Sequence, residues 1–188
     1  MADSKDPYAP LHAQGISVRV DRSRPVAALR DFDAQGAFAR ACQASLGVPL
    51  PPALRAMEVP GTPPGIEFIL AWRHPTQTLV LSNDGAALAA LQSELSTAVD
   101  GVCLDQSGGL WVLRLEGEKT RDLLLRIGSE ASSVAPGEAH VSRIADLPVL
   151  SLGVKPGETL LVIDRVYAEH LLNWIRVTLG DFESSEVS

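Results

Sequence analysis

The sequence is poor in cysteine and in long apolar runs, and each shortage excludes a class of protein. Cys42 and Cys103 are its only cysteines and lie 61 positions apart. They form neither a Cys-x-x-Cys pair nor a disulfide framework, which predicts a reducing, cytoplasmic location. No apolar run approaches the roughly 20 residues that span a bilayer, and the N-terminus lacks the apolar core of a signal peptide.

Positive charge is also scarce. The 188 residues include 16 Lys and Arg against 23 Asp and Glu, which gives a net charge of −7. Nucleic acids and anionic lipids bind basic surfaces, so we expect this chain to bind neither nucleic acid nor membrane. Hydrophobic residues make up 46% of the chain, close to the globular average, which argues against wholesale disorder. A chain of this length can form one sizeable core, or one domain with an arm.

The first third of the chain shows little regular apolar patterning. Residues 1–24 are polar and are predicted to be a flexible or partner-binding arm. Residues 25–65 are predicted to be a helix, from Asp31 or Asp33 to Leu46, followed by a proline-rich connector. Six of the 13 prolines lie in this connector, at positions 49–64, and they exclude a helix or a central strand there. Its apolar residues predict that it lies against a surface, either its own or a partner's.

Residues 66–179 carry the patterns of an α+β core, and residues 180–188 are predicted to be a disordered tail. The predicted elements are a hairpin (Glu67–Trp72 and Thr78–Leu81), a helix capped by Asn83 or Asp84, strands Val99–Leu104 and Leu110–Leu115, helix Glu118–Ile127, strands 139–144, 148–153 and 159–163, and a last helix capped by Asp164 with Tyr167, Leu171, Trp174 and Ile175 on one face. Their order, β-α-β-β-α-β and then β-β-α, predicts a ferredoxin-like, mainly antiparallel sheet with helices on one face and a weak strand-helix-strand repeat.

Catalytic motifs are missing. The sequence has no Gly-x-Gly-x-x-Gly, no phosphate-binding loop, no His-Glu-x-x-His and no Gly-x-Ser-x-Gly. Its four histidines fall on four different predicted elements: His12, His74, His140 and His170. Both cysteines are predicted to be buried, inert thiols. We therefore predict no catalytic, cofactor-binding or metal-binding residue in this chain.

Two features leave a functional interpretation open. Asp105-Gln106-Ser107-Gly108-Gly109 is typical of a turn, in which Asp and Ser bond nearby amides, and the alternative is a polar ligand site at a strand end. Trp72, Trp111 and Trp174 are predicted to lie in the core, and the alternative for each is a partner interface.

The segment from Val99 to Asp122 resembles a known motif. It matches the pattern D-x-S-x-G followed by L-x-L-x-G-x-x-A/T-R-D of the glycine-cleavage T-protein superfamily. More closely, the chain is similar to the gamma subunits of heterotetrameric sarcosine oxidases. Three further pieces carry that resemblance: Leu46-Gly47-Val48-Pro49-Leu50-Pro51, Ser142-Arg143-Ile144-Ala145-Asp146-Leu147-Pro148-Val149, and Asp164-Arg165-Val166-Tyr167-Ala168-Glu169-His170-Leu171 with Trp174.

The resemblance implies an α+β fold of the T-protein type and a supporting role in a larger complex. The chain would be a non-catalytic small subunit that stabilises larger flavoprotein subunits, which demethylate sarcosine or a related N-methyl amino acid oxidatively. FAD, FMN, NAD and folate would bind to those partner subunits and not to this chain. The alternative implied by the Asp105 segment is a stand-alone folate-binding, one-carbon domain.

Overall fold

A computed structural model describes residues 6–184, which contain eleven strands and four α-helices. In chain order the elements are β1 (Leu11–Ala13), β2 (Ile16–Asp21), β3 (Val26–Asp31), α1 (Ala37–Leu46), β4 (Ala56–Pro60), β5 (Glu67–His74), β6 (Gln77–Ser82), α2 (Gly85–Leu95), β7 (Gly101–Asp105), β8 (Leu110–Glu116), α3 (Thr120–Ile127), β9 (Ala139–Ile144), β10 (Leu147–Lys155), β11 (Glu158–Asp164) and α4 (Ala168–Ser184). Short 3-10 turns occupy Glu130–Ser132 and Arg165–Tyr167.

The chain divides into two units. Unit I consists of Ser23–Leu110 and Gly137–Ala139, and unit II of Trp111–Pro136 with the described parts of Met1–Arg22 and His140–Ser188. The predicted α+β class, with mainly antiparallel strands, is confirmed. The strands form two sheets, however, and not one. The strands predicted at Val99–Leu104 and Leu110–Leu115 are neighbours in sequence but belong to different sheets.

Unit I holds a five-stranded sheet in the order β4-β5-β6-β3-β7, with each neighbouring pair antiparallel. Without the edge strand β4, its order β5-β6-β3-β7 and its succession β-α-β-β-α-β are those of a ferredoxin-like fold. Helices α1 and α2 contribute to one buried cluster on one face of the sheet. Its members include Leu29, Phe38, Leu70, Leu91 and Leu95.

Unit II repeats this arrangement with one change. Its six strands run in the order β1-β2-β8-β11-β10-β9. Strand β8 occupies the position that β3 has in unit I. Strand β2, from the N-terminal part of the chain, lies beside β8 in the position that β7 has beside β3. The pairing of β2 with β8 is antiparallel and sets Val18 opposite Leu115. The strand-helix-strand repeat predicted from the element order is therefore present.

The predicted arm is the main difference between the sequence expectation and the structure. Residues 11–21 form β1 and β2, and Ile16 and Val18 are buried in the core of unit II. The two residues alternate with Ser17 and Arg19, which lie on the opposite face of the strand. The mean polarity of the segment hid this alternation. Residues 1–5 of the predicted arm lie outside the described part of the chain.

Three predicted boundaries also change. Helix α1 begins at Ala37, and the residues before it form β3, whose first four positions are all buried, so that it shows no polar alternation. Asp164 makes no side-chain capping bond, and a 3-10 turn precedes α4. Helix α4 continues to Ser184 with Phe182 buried, whereas residues 180–188 were predicted to be a tail. Residues 185–188 of that tail lie outside the described residues.

The proline-rich connector packs on its own unit. Val48, Leu50 and Met57 lie against the unit I core, and Pro51 is buried. The only strand in this stretch is β4, at the edge of the sheet, which agrees with the predicted exclusion of a central strand. The sequence left open whether the connector packs on this chain or on a partner, and in the structure it packs on unit I of this chain.

A carboxylate that is distant in sequence holds the start of α1. The N-cap residue, Gly36, has no side chain, and the two oxygens of Asp100 each accept a backbone N–H at 2.8 Å, from Ala37 and Phe38. Asp100 has a positive φ of 64°. A Cβ on the next residue, Gly101, would lie 2.2 Å from the Phe38 ring. The start of β7 and the start of α1 are therefore fixed to each other.

We predict that Asp100→Gly lowers the free energy of unfolding by about 1–2 kcal/mol, because two amides of α1 lose their acceptor. Glycine tolerates the positive φ, so the change isolates the carboxylate. Asp100→Asn keeps one oxygen acceptor and should lose less. Urea unfolding followed by far-UV circular dichroism measures both. A glycine variant as stable as the wild type would show that this cap contributes nothing.

We also predict that Val18→Asp unfolds unit II, because it places an unpaired carboxylate in a core position that is 1% exposed. The loss should be about 3 kcal/mol or more. Arg19→Ser on the solvent side of the same strand is the control and should cost less than about 1 kcal/mol. Trp111 and Trp174 lie in unit II, so tryptophan fluorescence during urea unfolding reports the change. Equal losses for the two variants would contradict the assignment of β2 to the core.

Candidate functional site

The Asp105–Ser107 turn uses its polar groups to join β7 to β3. The Ser107 amide donates to Asp105 Oδ1 at 2.9 Å, and the Val26 amide donates to Ser107 Oγ at 3.0 Å. The Ser107 hydroxyl also lies 3.3 Å from the Val26 carbonyl oxygen. The Ser107 amide, and then its hydroxyl, hold the pKa of Asp105 below its usual range. Of the two interpretations of this segment, the geometry is that of the turn.

The four histidines lie on four different elements of the structure. His12 lies on β1, His74 ends β5, His140 lies on β9 and His170 is exposed on α4. Within residues 6–184, no three His, Cys, Asp or Glu side chains are grouped so that they could hold a metal ion. Among the same residues, none of the helices is long and apolar enough to cross a bilayer.

The two cysteines, although 61 positions apart in sequence, belong to one buried cluster. Cys42 on α1 and Cys103 on β7 both lie in the unit I core and are free thiols. Burial, and after it the negative charges of a Cys103 thiolate and of Asp31, raise the pKa of Cys42 to about 12. Burial likewise raises the pKa of Cys103 to about 11. A thiol with such a pKa stays protonated and is a poor nucleophile at neutral pH, as the sequence predicts.

Unit I has an open cleft of about 570 Å³ between α1, the proline-rich connector and the β5–β6 hairpin. Trp72 forms part of its wall, and Asp31, Arg40 and His74 bring charged or titratable groups to it. Their polar atoms make local contacts: Asp31 accepts the Asp33 amide at 3.0 Å, and His74 Nδ1 lies 3.3 Å from Thr76 Oγ1. This cleft has the volume of a small-molecule pocket, and its charged groups also serve the turns that form it.

The tryptophans are placed differently from one another. Trp72 and Trp111 are half-buried, and the ring of Trp111 packs edge-on against Tyr8 with 4.9 Å between the ring centres. Trp174 is 50% exposed on α4. For Trp174 the prediction of a core position is therefore wrong.

The predicted apolar face of the last helix divides into two faces. Leu171 and Ile175 are buried, whereas Tyr167 and Trp174, predicted to share their face, are 42% and 50% exposed. Val177, one turn beyond Trp174, is 70% exposed. Residues 167, 170, 174 and 177 follow one another at helical spacing, and this was the signal in the sequence for a second face. The signal was hard to recognise because Leu171 and Ile175, on the buried face, each lie only one position further along the chain.

Because both thiols stay protonated in the folded protein, stability should fall at high pH. Well below pH 9 the two thiols are protonated in the folded and in the unfolded protein. Above pH 9 only the thiols of the unfolded chain ionise, which stabilises the unfolded state, so the free energy of unfolding falls as the pH rises. We predict that each thiol lowers the free energy of unfolding by about 1 kcal/mol for each pH unit, until the pH reaches the pKa of that thiol in the folded protein. Urea unfolding at pH 8, 9 and 10 measures it, with a Cys42→Ala/Cys103→Ala variant as control. Equal slopes for wild type and variant would contradict the burial of the thiols.

Comparison with known proteins bears on the whole chain and not on one site. No protein-family profile and no curated protein sequence matches it. Among solved structures, the heterotetrameric sarcosine oxidase from Corynebacterium sp. U-96, in complex with pyrrole 2-carboxylate, has a chain with a TM-score of 0.78 and 21% identity. The match covers 95% of this chain and 90% of that one.

A second similar structure is the glycine cleavage system aminomethyltransferase T from Bartonella henselae, with a TM-score of 0.71 and 13% identity. The match covers 90% of this chain and 46% of the aminomethyltransferase, so the chain spans about half the length of that protein. The resemblance drawn from the sequence motifs is confirmed at the level of the fold: the chain has the fold of this sarcosine oxidase chain and of part of the aminomethyltransferase.

Proposed function

We propose that this chain is the small, non-catalytic subunit of a flavin-dependent complex of the sarcosine oxidase type. The observation that carries the proposal is the reciprocal coverage of the structural match: 95% of this chain and 90% of a chain of the heterotetrameric sarcosine oxidase are superimposed. A match over nearly the full length of both chains is what two equivalent subunits would give. A match between one domain and a larger enzyme would leave much of the larger chain uncovered. Its role would be to support the assembly and stability of larger subunits.

The chemistry of the described residues is consistent with a supporting role. The Asp105–Ser107 turn holds the backbone of β3, and the cysteines are buried in a core. In this proposal the oxidative demethylation of sarcosine or a related N-methyl amino acid takes place on the larger flavoprotein subunits. FAD, FMN, NAD and folate would bind there. The cytoplasmic location expected from the cysteine content stays a prediction.

Co-expression with the products of the neighbouring genes, among which the proposal expects flavoprotein chains, tests the proposal. An affinity tag on this chain should capture those chains in a fixed ratio, and the captured complex should oxidise sarcosine or another N-methyl amino acid. The larger chains expressed alone should be less soluble or less stable to heat, because they lack a subunit that binds only the folded state. If this chain purifies alone beside well-expressed flavoprotein chains, the proposal fails.

The likeness to the aminomethyltransferase supports a second candidate, a stand-alone folate-binding domain. The side chains of the motif that suggested it, Asp105 and Ser107, are engaged in the turn, and only 46% of the aminomethyltransferase is matched. Titration of the isolated chain with tetrahydrofolate or its 5-formyl analogue distinguishes the two candidates. A saturable rise in the midpoint of thermal unfolding would favour folate binding, and no rise at millimolar ligand would exclude it.

A further inference from the structure

The open cleft of unit I contains a buried polar group that the folded chain itself does not use. This cleft lies between α1, the proline-rich connector and the β5–β6 hairpin, and Thr78 lines it with only 5% of its surface exposed. The Thr78 hydroxyl has no hydrogen-bond partner among the described residues. Buried hydroxyl groups are nearly always hydrogen-bonded, to protein, to water or to a ligand. A partner for this hydroxyl would therefore lie in the cleft.

The strand register places Thr78 on the cleft side of the sheet. Thr78 on β6 lies opposite Trp72 on β5 and opposite Leu29 on β3. Directly opposite residues share one face of an antiparallel sheet. Leu29 belongs to the buried cluster to which α1 and α2 contribute, and Trp72 forms part of the cleft wall. The Thr78 side chain therefore lies on the face of the sheet that carries α1, beside Trp72.

Two opposite charges line the same cleft without pairing. Asp31 and Arg40 both line it, yet their oxygen and nitrogen atoms are more than 4.0 Å apart, and neither pairs with another charged residue of the described chain. Each makes one local bond: Asp31 Oδ1 accepts the Asp33 amide at 3.0 Å, and Arg40 Nη1 donates to the Gln35 carbonyl oxygen. The charges themselves are left for a ligand that carries both a positive and a negative group.

The remaining wall of the cleft is apolar. The half-buried Trp72 lines it together with four prolines, Pro49, Pro51, Pro52 and Pro75. Aromatic and proline side chains have little rotamer freedom to lose when a ligand packs on them. An apolar wall with a few polar groups is the usual composition of a ligand pocket, and about 570 Å³ is enough for a molecule of amino-acid size.

We propose that the unit I cleft binds the zwitterion of a free amino acid with an apolar side chain. Arg40 binds the carboxylate of the ligand, and Asp31 binds its ammonium group. The Thr78 hydroxyl bonds to one of these two groups, and the apolar side chain packs on Trp72. The two unpaired charges of opposite sign select a zwitterion over a simple anion or cation. This inference goes beyond the proposed function and does not depend on it, because every residue of the site belongs to unit I of this chain.

Isothermal titration calorimetry of the full chain with L-phenylalanine at neutral pH tests the proposal. We expect saturable binding. N-acetyl-L-phenylalanine lacks the ammonium charge and 2-phenylethylamine lacks the carboxylate, so each should bind at least about 10-fold more weakly. If L-phenylalanine does not bind at millimolar concentration, or if either analogue binds equally tightly, the proposal is overturned.

Two charge variants test the roles of Asp31 and Arg40. Asp31→Asn keeps an oxygen that can accept the Asp33 amide but removes the negative charge, and Arg40→Gln removes the positive charge. Each should weaken the binding of L-phenylalanine about 10-fold. Far-UV circular dichroism verifies that the variants are folded. Folded variants that bind L-phenylalanine as tightly as the wild type would overturn the proposal. Capture of flavoprotein chains is measured separately, so neither proposal falls with the other.

Thr78→Val tests the buried hydroxyl, because valine has nearly the same shape as threonine. It should weaken the binding of L-phenylalanine about 5-fold. The urea midpoint of unfolding should stay unchanged, since the hydroxyl makes no bond in the free protein. Thr178→Val is the matched control: the Thr178 hydroxyl donates to the Trp174 carbonyl at 2.9 Å in unit II, and this variant should bind L-phenylalanine as the wild type does. Equal binding by the two variants would contradict the role of Thr78.

Discussion

Unit II depends on one antiparallel pairing between distant parts of the chain. Strand β2 lies beside β8, with Val18 opposite Leu115 and Arg19 opposite Arg114. In unit I the corresponding strand, β7, comes from the same continuous stretch of chain as the rest of its sheet. In unit II the corresponding place is taken by β2, so among the described residues the sheet would end at β8 without the N-terminal segment. The backbone groups of β8 that β2 satisfies would then be exposed, as in any open sheet edge.

Two residues of the motif that carried the resemblance, Gly117 and Thr120, make close contacts with the backbone of other segments. A Cβ on Gly117 would lie 2.1 Å from the carbonyl oxygen of Gly15, and the Gly117 amide donates to the Gly157 carbonyl at 2.8 Å. Thr120 is buried beside the same carbonyl, with 3.4 Å between its Oγ1 and the oxygen. Contacts of this kind specify how the backbone packs. This is why the resemblance predicted the fold well and says less about activity.

Several local signals in the sequence predicted local structure correctly, although the cap predicted at Asp164 is absent. Helix α2 is capped by Asp84, which accepts the Ala87 amide at 2.8 Å, and α1 ends at Gly47 in the left-handed conformation, both as expected from residue type. What could not be predicted depends on distant partners. Strand β2 becomes recognisable only beside β8, and Trp174 is placed on the outer face by packing on the other side of α4. For Trp174 the sequence favoured a core position and left a partner interface as the alternative, and the fold excludes the core position.

The position of Asp100 has a consequence for how unit I unfolds. A helix capped by its own preceding residue can form with the help of neighbouring residues alone. The first amide of helix α1 instead donates to Asp100, which lies 63 positions later in sequence and immediately before strand β7. Fraying of that strand therefore withdraws the acceptor from the helix and lowers the stability of the helix by about the 1–2 kcal/mol of a cap. Opening of β7 should accordingly speed hydrogen exchange at the first amides of α1.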